Sequence, residues 1–125
     1  QSQRFTALKA LGDEAAQRLE RQLQQTLSNV VNHLTIATHV PPFVESCWYE
    51  GSNDINAWTP HFTALSVGEV IRDAAVDHPE VHFTVLCGHT HHAGQVSILE
   101  NLTVLTGDAD YGDWQRGRTI RLPNR

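Results

Sequence analysis

The chain lacks several features that would place it in a special class of protein. No apolar run approaches the roughly 20 residues that a membrane-spanning helix requires, and no signal-peptide pattern is present. Only 2 cysteines occur, too few for a disulfide scaffold. Basic residues are also scarce, and the net charge of -5 argues against a surface that binds nucleic acid as a whole. We therefore expect a cytoplasmic protein with no membrane partner, and the sequence does not indicate a nucleic-acid partner.

The overall composition of the chain is that of an ordinary globular domain. Hydrophobic residues make up 40% and charged residues 18% of the chain, a balance that allows a small core. No repeat, low-complexity stretch or internal boundary divides residues 1–125, so we predict one domain unit. The chain begins with Gln1 rather than Met, which fits either a processed chain or a part of a longer protein.

A first helical region is predicted over residues 1–29. Gly12 is expected to interrupt it, and Asp13 is a suitable N-cap for the part that follows. The apolar residues then recur at helical spacing, which indicates a face that packs on a sheet or on another helix. This face comprises Ala15, Ala16, Leu19, Leu23 and Leu27.

A second helix is predicted over residues 66–78. Ser66 and Glu69 fit a capping box at its start, and Pro79 would stop it. Its apolar face comprises Val67, Val70, Ile71, Ala74 and Ala75.

The strands are predicted from β-branched residues and alternating polarity. Cys87 ends the second of them, where we expect a buried thiol. The third and fourth should form a hairpin that turns at Glu100-Asn101. The five predicted strands cover residues 33–38, 81–87, 95–99, 102–106 and 114–122.

Histidines follow two of the predicted strands. The first motif is Thr38-His39-Val40-Pro41-Pro42, and the second is Gly88-His89-Thr90-His91-His92. Imidazole is a preferred ligand of transition-metal ions, and the two prolines would stiffen the loop that carries His39. The structural alternatives are a hydrogen-bonded loop histidine in the first motif and a polar turn between strands in the second.

A long loop separates the first histidine motif from the second helix. It covers residues 44–61 and contains Trp48, Tyr49 and Trp58. Long loops in compact domains are often functional, so these aromatics could line a substrate wall. They could equally form a small core within the loop itself.

The two motifs, in this order of helices and strands, resemble the C-terminal half of the calcineurin-like metallophosphoesterase superfamily. The resemblance covers nearly the whole chain, and the pair of motifs is much more specific than either alone. It implies an α/β fold with a mixed sheet and helices on one side, as half of a four-layer αββα sandwich. Residues 1–125 would then be the C-terminal part of a phosphoesterase domain.

The resemblance also implies a hydrolase that cleaves phosphomonoesters or phosphodiesters. Its site would hold two metal ions, Mn, Fe, Zn or Ni, bridged by an Asp carboxylate and a water. By resemblance, His39 and His89 would bind one ion and His91 the other. His92 lies outside the family pattern and is expected to face solvent.

Three other family motifs are absent from the chain: Asp-x-His, Gly-Asp-x-x-Asp and Gly-Asn-His followed by an acid. The sequence Gly12-Asp13-Glu14-Ala15-Ala16 lacks the second Asp, and Gly107-Asp108-Ala109-Asp110 has the wrong spacing. We therefore expect no catalytic residue in this chain and no activity from the chain alone. The missing N-terminal half would come from the same or another polypeptide.

Loss of half the sandwich should leave an apolar sheet face open, which favours a partner chain or a homo-oligomer. Two other functions remain open. The chain could be a small module in which three histidines bind a single metal ion with water. It could also be a non-catalytic interaction domain that keeps the fold without the site.

Overall fold

The computed structural model describes residues 2–47, 64–88, 92–107 and 121. In this part of the chain it is a mixed α/β protein, as predicted. Its elements are α1 (Ser2–Leu27), β1 (His33–Ala37), a 3₁₀ turn (Val44–Ser46), α2 (Leu65–Asp77), β2 (His82–Cys87), β3 (Gly94–Leu99) and β4 (Leu102–Thr106).

The predicted elements agree with these bounds in most places. The predictions of β1, β2, α2 and the β3–β4 hairpin are confirmed. The predicted strand over 114–122 and the aromatics Trp48, Tyr49 and Trp58 lie outside the described residues. Within the described ranges, no helix combines the length and the apolar character that a bilayer crossing requires.

The four strands form one mixed sheet in the order β1-β2-β4-β3. β1 pairs with β2 and β2 with β4 in parallel, whereas β3 is antiparallel to β4. α2 connects β1 to β2, and the hairpin strand β3 returns the chain so that β4 can pair in parallel with β2. The carboxyl ends of β1, β2 and β4 therefore lie at the same edge of the sheet.

Burial alternates along the strands because successive side chains point to opposite faces of the sheet. On one face, Phe83, Val85, Leu102 and Val104 are 0% exposed. They pack in one cluster with buried residues of both helices, among them Leu23 and Ile71. The helices thus cover one side of the sheet, and the predicted apolar face of α2 is confirmed.

The other face of the sheet is polar over most of its described area, unlike the apolar face that we predicted. The strand registers arrange its side chains in three rows. Leu86 and Leu105 are its large apolar residues, and both are half-buried. The rows are His33 with His82; Thr35, Thr84, Thr103 and Ser97; and Ala37, Leu86, Leu105 and Gln95.

Two predictions about the helix termini were wrong. α1 is continuous through Gly12, so Asp13 caps no helix. The Asp13 carboxylate instead accepts a hydrogen bond from the Ser66 hydroxyl at 2.9 Å. α2 begins after Ala64, which makes no side-chain cap hydrogen bond, and the capping box at Ser66 does not form. A glycine inside a helix costs only about 0.5–1 kcal/mol, which helix packing outweighs.

The Asn101 side chain joins the hairpin turn to the connection between α2 and β2. Its amide nitrogen donates to the carbonyl oxygens of Ala75, His78 and Val81 at 2.9, 3.1 and 3.0 Å. Two amide hydrogens thus serve three acceptors, so at least one bond is shared. These contacts fix where β2 begins relative to β4, and with it the register of the sheet.

We predict that α2 is held mainly by Ile71, which is 0% exposed, whereas Val76 on the same helix is 61% exposed. Ile71→Ala should lower the free energy of unfolding by roughly 2–5 kcal/mol, because it removes buried methyl groups and leaves a cavity. Val76→Ala, the matched control, should change it by less than about 0.5 kcal/mol. Urea denaturation measures both, and equal effects would contradict the packing described here.

A second prediction contrasts two helical glycines. A methyl group on Gly12 would meet no atom within 4 Å, whereas one on Gly68 would collide with the Pro42 carbonyl oxygen. Gly12→Ala should stabilise the protein by roughly 0.5–1 kcal/mol, and Gly68→Ala should destabilise it by roughly 1–3 kcal/mol. Thermal unfolding of both variants tests this. A Gly68→Ala protein as stable as the unsubstituted chain would show that α2 does not approach Pro42 so closely.

Candidate metal-binding edge of the sheet

The exits of β1, β2 and β4 remain hydrogen-bonded to one another beyond the ends of the strands. The Thr38 N–H donates to the Leu86 carbonyl at 2.8 Å, and the Gly88 N–H donates to the His39 carbonyl at 3.1 Å. On the other side of β2, the Gly107 N–H donates to the Cys87 carbonyl at 2.8 Å. His39 and Gly88 are therefore neighbours at this edge of the sheet.

The loop that follows His39 is fixed by packing as well as by its prolines. Pro41 and Pro42 are fully buried, and Phe43 is 4% exposed. The Thr38 hydroxyl donates to the Val40 carbonyl at 2.9 Å, which closes a tight turn around His39. The Pro41 carbonyl accepts a hydrogen bond from the Ala64 N–H at 2.9 Å, which ties the loop to the start of α2.

The predicted ligand His39 is exposed to solvent on this anchored backbone. Such a position is suited to a metal ligand, because the main chain is held while the imidazole is accessible. His92 is half-buried rather than fully exposed, so our expectation that it faces solvent is only partly met.

The other two predicted ligands, His89 and His91, lie outside the described residues. Gly88 and His92, which flank that short segment, are both described. Within the described ranges, no three His, Cys, Asp or Glu side chains are grouped so that they could hold a metal ion. His39 is thus the one predicted ligand with a described position, beside the point where the second motif begins.

A buried polar network lies directly beneath this edge, and sequence reasoning did not identify it. The Thr106 hydroxyl donates to the Ser46 carbonyl at 2.8 Å and lies 3.5 Å from the Cys87 sulfur. Because the hydroxyl proton is used by Ser46, the thiol is the donor in the second contact. A signal was present in β4: Leu102, Val104 and Thr106 alternate onto the buried face, where a hydroxyl needs a partner.

The two cysteines near this edge carry free, buried thiols, as predicted for Cys87. Burial raises the pKa of Cys47 above its ordinary value of 9.0. Burial also raises the pKa of Cys87, and the neighbouring Cys47 raises it further. Both groups are therefore protonated at neutral pH, and neither is suited to be a thiolate ligand or nucleophile.

A groove of about 360 Å³ lies between α1 and α2, on the helical side of the sheet. Leu23, Leu27 and Val70 contribute to its walls, together with Glu20 and Asp73. It is lined by residues in the two helices and just after their ends, and it involves neither His39 nor Gly88. The candidate metal-binding edge is thus separate from this groove.

Comparison of the chain with protein-family models, curated proteins and solved structures gives no match. The resemblance to metallophosphoesterases therefore depends on the two histidine motifs and on the order of the elements around them.

We predict that the Thr106 hydroxyl holds the 3₁₀ turn against β4. Thr106→Val keeps the shape but leaves the buried Ser46 carbonyl without its donor, which should cost roughly 1–3 kcal/mol of unfolding free energy. Thr106→Ser retains the hydroxyl and should recover the larger part of that loss. Chemical denaturation of the two variants measures the difference, and a Val variant as stable as the Ser variant would contradict the role of this bond.

Proposed function

We propose that this chain is the histidine-bearing part of a metal-dependent phosphoester hydrolase of the calcineurin-like metallophosphoesterase type. In this proposal His39 and His89 bind one metal ion and His91 binds the other. The substrate is a phosphomonoester or a phosphodiester. The remaining ligands come from polypeptide outside these 125 residues.

The observation that carries the proposal is the adjacency of His39 and Gly88. The Gly88 N–H donates to the His39 carbonyl at 3.1 Å, and the chain continues from Gly88 directly into His89. The second motif begins at Gly88, 50 residues after the first begins at Thr38, yet the starts of the two motifs lie side by side. Ligand sites of α/β proteins lie at the carboxyl ends of strands, where both motifs occur.

The donor set fits transition-metal ions of intermediate softness. Imidazole nitrogens suit Zn, Fe, Ni and Mn when carboxylates complete the coordination shell. Because His39 is exposed, it can bind an ion that remains at the protein surface. When bound, such ions would supply Lewis-acid chemistry, which would lower the pKa of a coordinated water and offset the negative charge of a phosphoryl group. This chain's own contribution is to hold the imidazoles on a backbone anchored by Pro41 and Pro42.

Three histidines divided between two ions leave both ions short of ligands. Among the described residues, no three His, Cys, Asp or Glu side chains form a group that could hold a metal ion. Because three motifs of the family are absent from the sequence, the bridging Asp, the Asn ligand and the general acid would be supplied by the missing half of the domain. That division explains why we expect the isolated chain to be inactive.

In the protein that carries the complete site, His39→Ala should reduce hydrolysis of bis(p-nitrophenyl) phosphate or p-nitrophenyl phosphate by more than about 100-fold, because a direct ligand is lost. His89→Ala and His91→Ala should behave alike. His78→Ala is the matched control: its imidazole contacts Glu80 at 3.3 Å at the end of α2, away from the strand exits. Activity near that of the unsubstituted enzyme in all three variants would overturn the proposal.

Metal binding by the isolated chain and by its histidine variants distinguishes the two alternative functions. One tightly bound ion per isolated chain, lost on substitution of any of the three histidines, would indicate a single-metal three-histidine module. A chain with no metal affinity and a stable protein partner would indicate a non-catalytic interaction domain.

A further inference from the structure

A second pair of histidines lies at the opposite end of the parallel strands. His33 is the first residue of β1, His82 is the first residue of β2, and the two are register partners. Their ring centroids are 5.9 Å apart, with the ring planes tilted by 58°. Both residues are exposed, on the sheet face that the helices do not cover.

The separation of these rings is close to that of two imidazoles on one metal ion. Nitrogen–metal bonds of about 2 Å place the ring centroids roughly 5–6 Å apart at tetrahedral or wider angles. The backbone beneath the pair is fixed, because the His82 N–H donates to the Asn32 carbonyl at 2.8 Å in the ladder between β1 and β2. The two side chains therefore start from a fixed backbone, with a ring separation that matches two imidazoles on a common ion.

We propose that His33 and His82 form a two-imidazole chelating site for a late first-row divalent ion, Cu²⁺, Ni²⁺ or Zn²⁺. The preference follows from the nitrogen donors and from the order of affinities among these ions, which is highest for Cu²⁺. Solvent, or a donor from another molecule, fills the remaining positions. The site is independent of the proposed hydrolase centre, since Gly88 lies six positions after His82 along an extended strand, which is roughly 20 Å.

Chelation gives a different signature from two separate surface histidines. If both rings bind one ion, loss of either ring removes the chelate, so His33→Ala and His82→Ala should each weaken binding by about tenfold or more. The double variant should then be little weaker than either single variant, because the two side chains act as one unit. If the two histidines bound ions independently, each single variant would bind half as many ions as the unsubstituted chain.

The test is a Cu²⁺ titration of the ¹⁵N-labelled 125-residue chain, followed by amide line broadening. At substoichiometric Cu²⁺ we expect the amides of His33, Leu34, His82 and Phe83 to broaden first among those of β1 and β2. This broadening should be lost in both single variants and kept in His78→Ala. The metal-free spectra of the variants show whether each is folded, which we expect because both side chains are exposed.

Two outcomes would overturn the proposal: no broadening at the start of β1 and β2, or broadening there that persists in either single variant. Broadening at Thr38 and Gly88 reports on the other end of the strands and bears on the proposed hydrolase site instead. The two sites are therefore judged separately in one experiment.

Discussion

The parallel pairing of β1 with β2 is the interaction on which the rest of this structure depends. It aligns Leu34 with Phe83 and Ile36 with Val85, so that both strands present one apolar face to the helices. The same register places the imidazoles of His33 and His82 together at the start of the strands and sets His39 beside Gly88 at their ends. Because a slip of one residue would turn every buried side chain to the other face, the core that fixes this register also fixes both candidate sites.

Parallel strands need a crossover, and α2 provides it. In its described part, residues 38–47, the connection that follows β1 carries His39 at the sheet edge and then brings Pro42 against α2. It can do so because Pro41 and Pro42 are buried and because Gly68 has no side chain where α2 meets the Pro42 carbonyl. The packing that stabilises the crossover therefore also anchors the backbone of a candidate metal ligand. Polar contacts below the edge, from Thr106 to Ser46, extend this support to β4.

Local pattern was sufficient to predict most elements, since the strands alternate and the apolar face of α2 follows helical spacing. It was insufficient where tertiary contacts compete with local preference: α1 continues through Gly12, and Ser66 bonds Asp13 across the helix pair instead of capping its own helix. The parallel order of the strands follows from long-range packing and from contacts such as those of Asn101, which no local pattern contains. Of the candidate site, sequence identified the motifs, and the structure added the adjacency of His39 and Gly88. It also revealed the paired rings of His33 and His82, which are 49 residues apart in sequence (82 against 33).

The central claim is that the two histidine motifs serve one metal centre that a second polypeptide segment completes. Native mass spectrometry of the protein that carries the complete site, with and without His39→Ala, tests it most directly, because it reads chain composition and bound metal together. We predict two ions bound at a centre that this chain shares with the segment that supplies the missing ligands, with at least one ion lost in His39→Ala. A complete protein that binds no metal, or one whose metal content His39→Ala leaves unchanged, would contradict the claim.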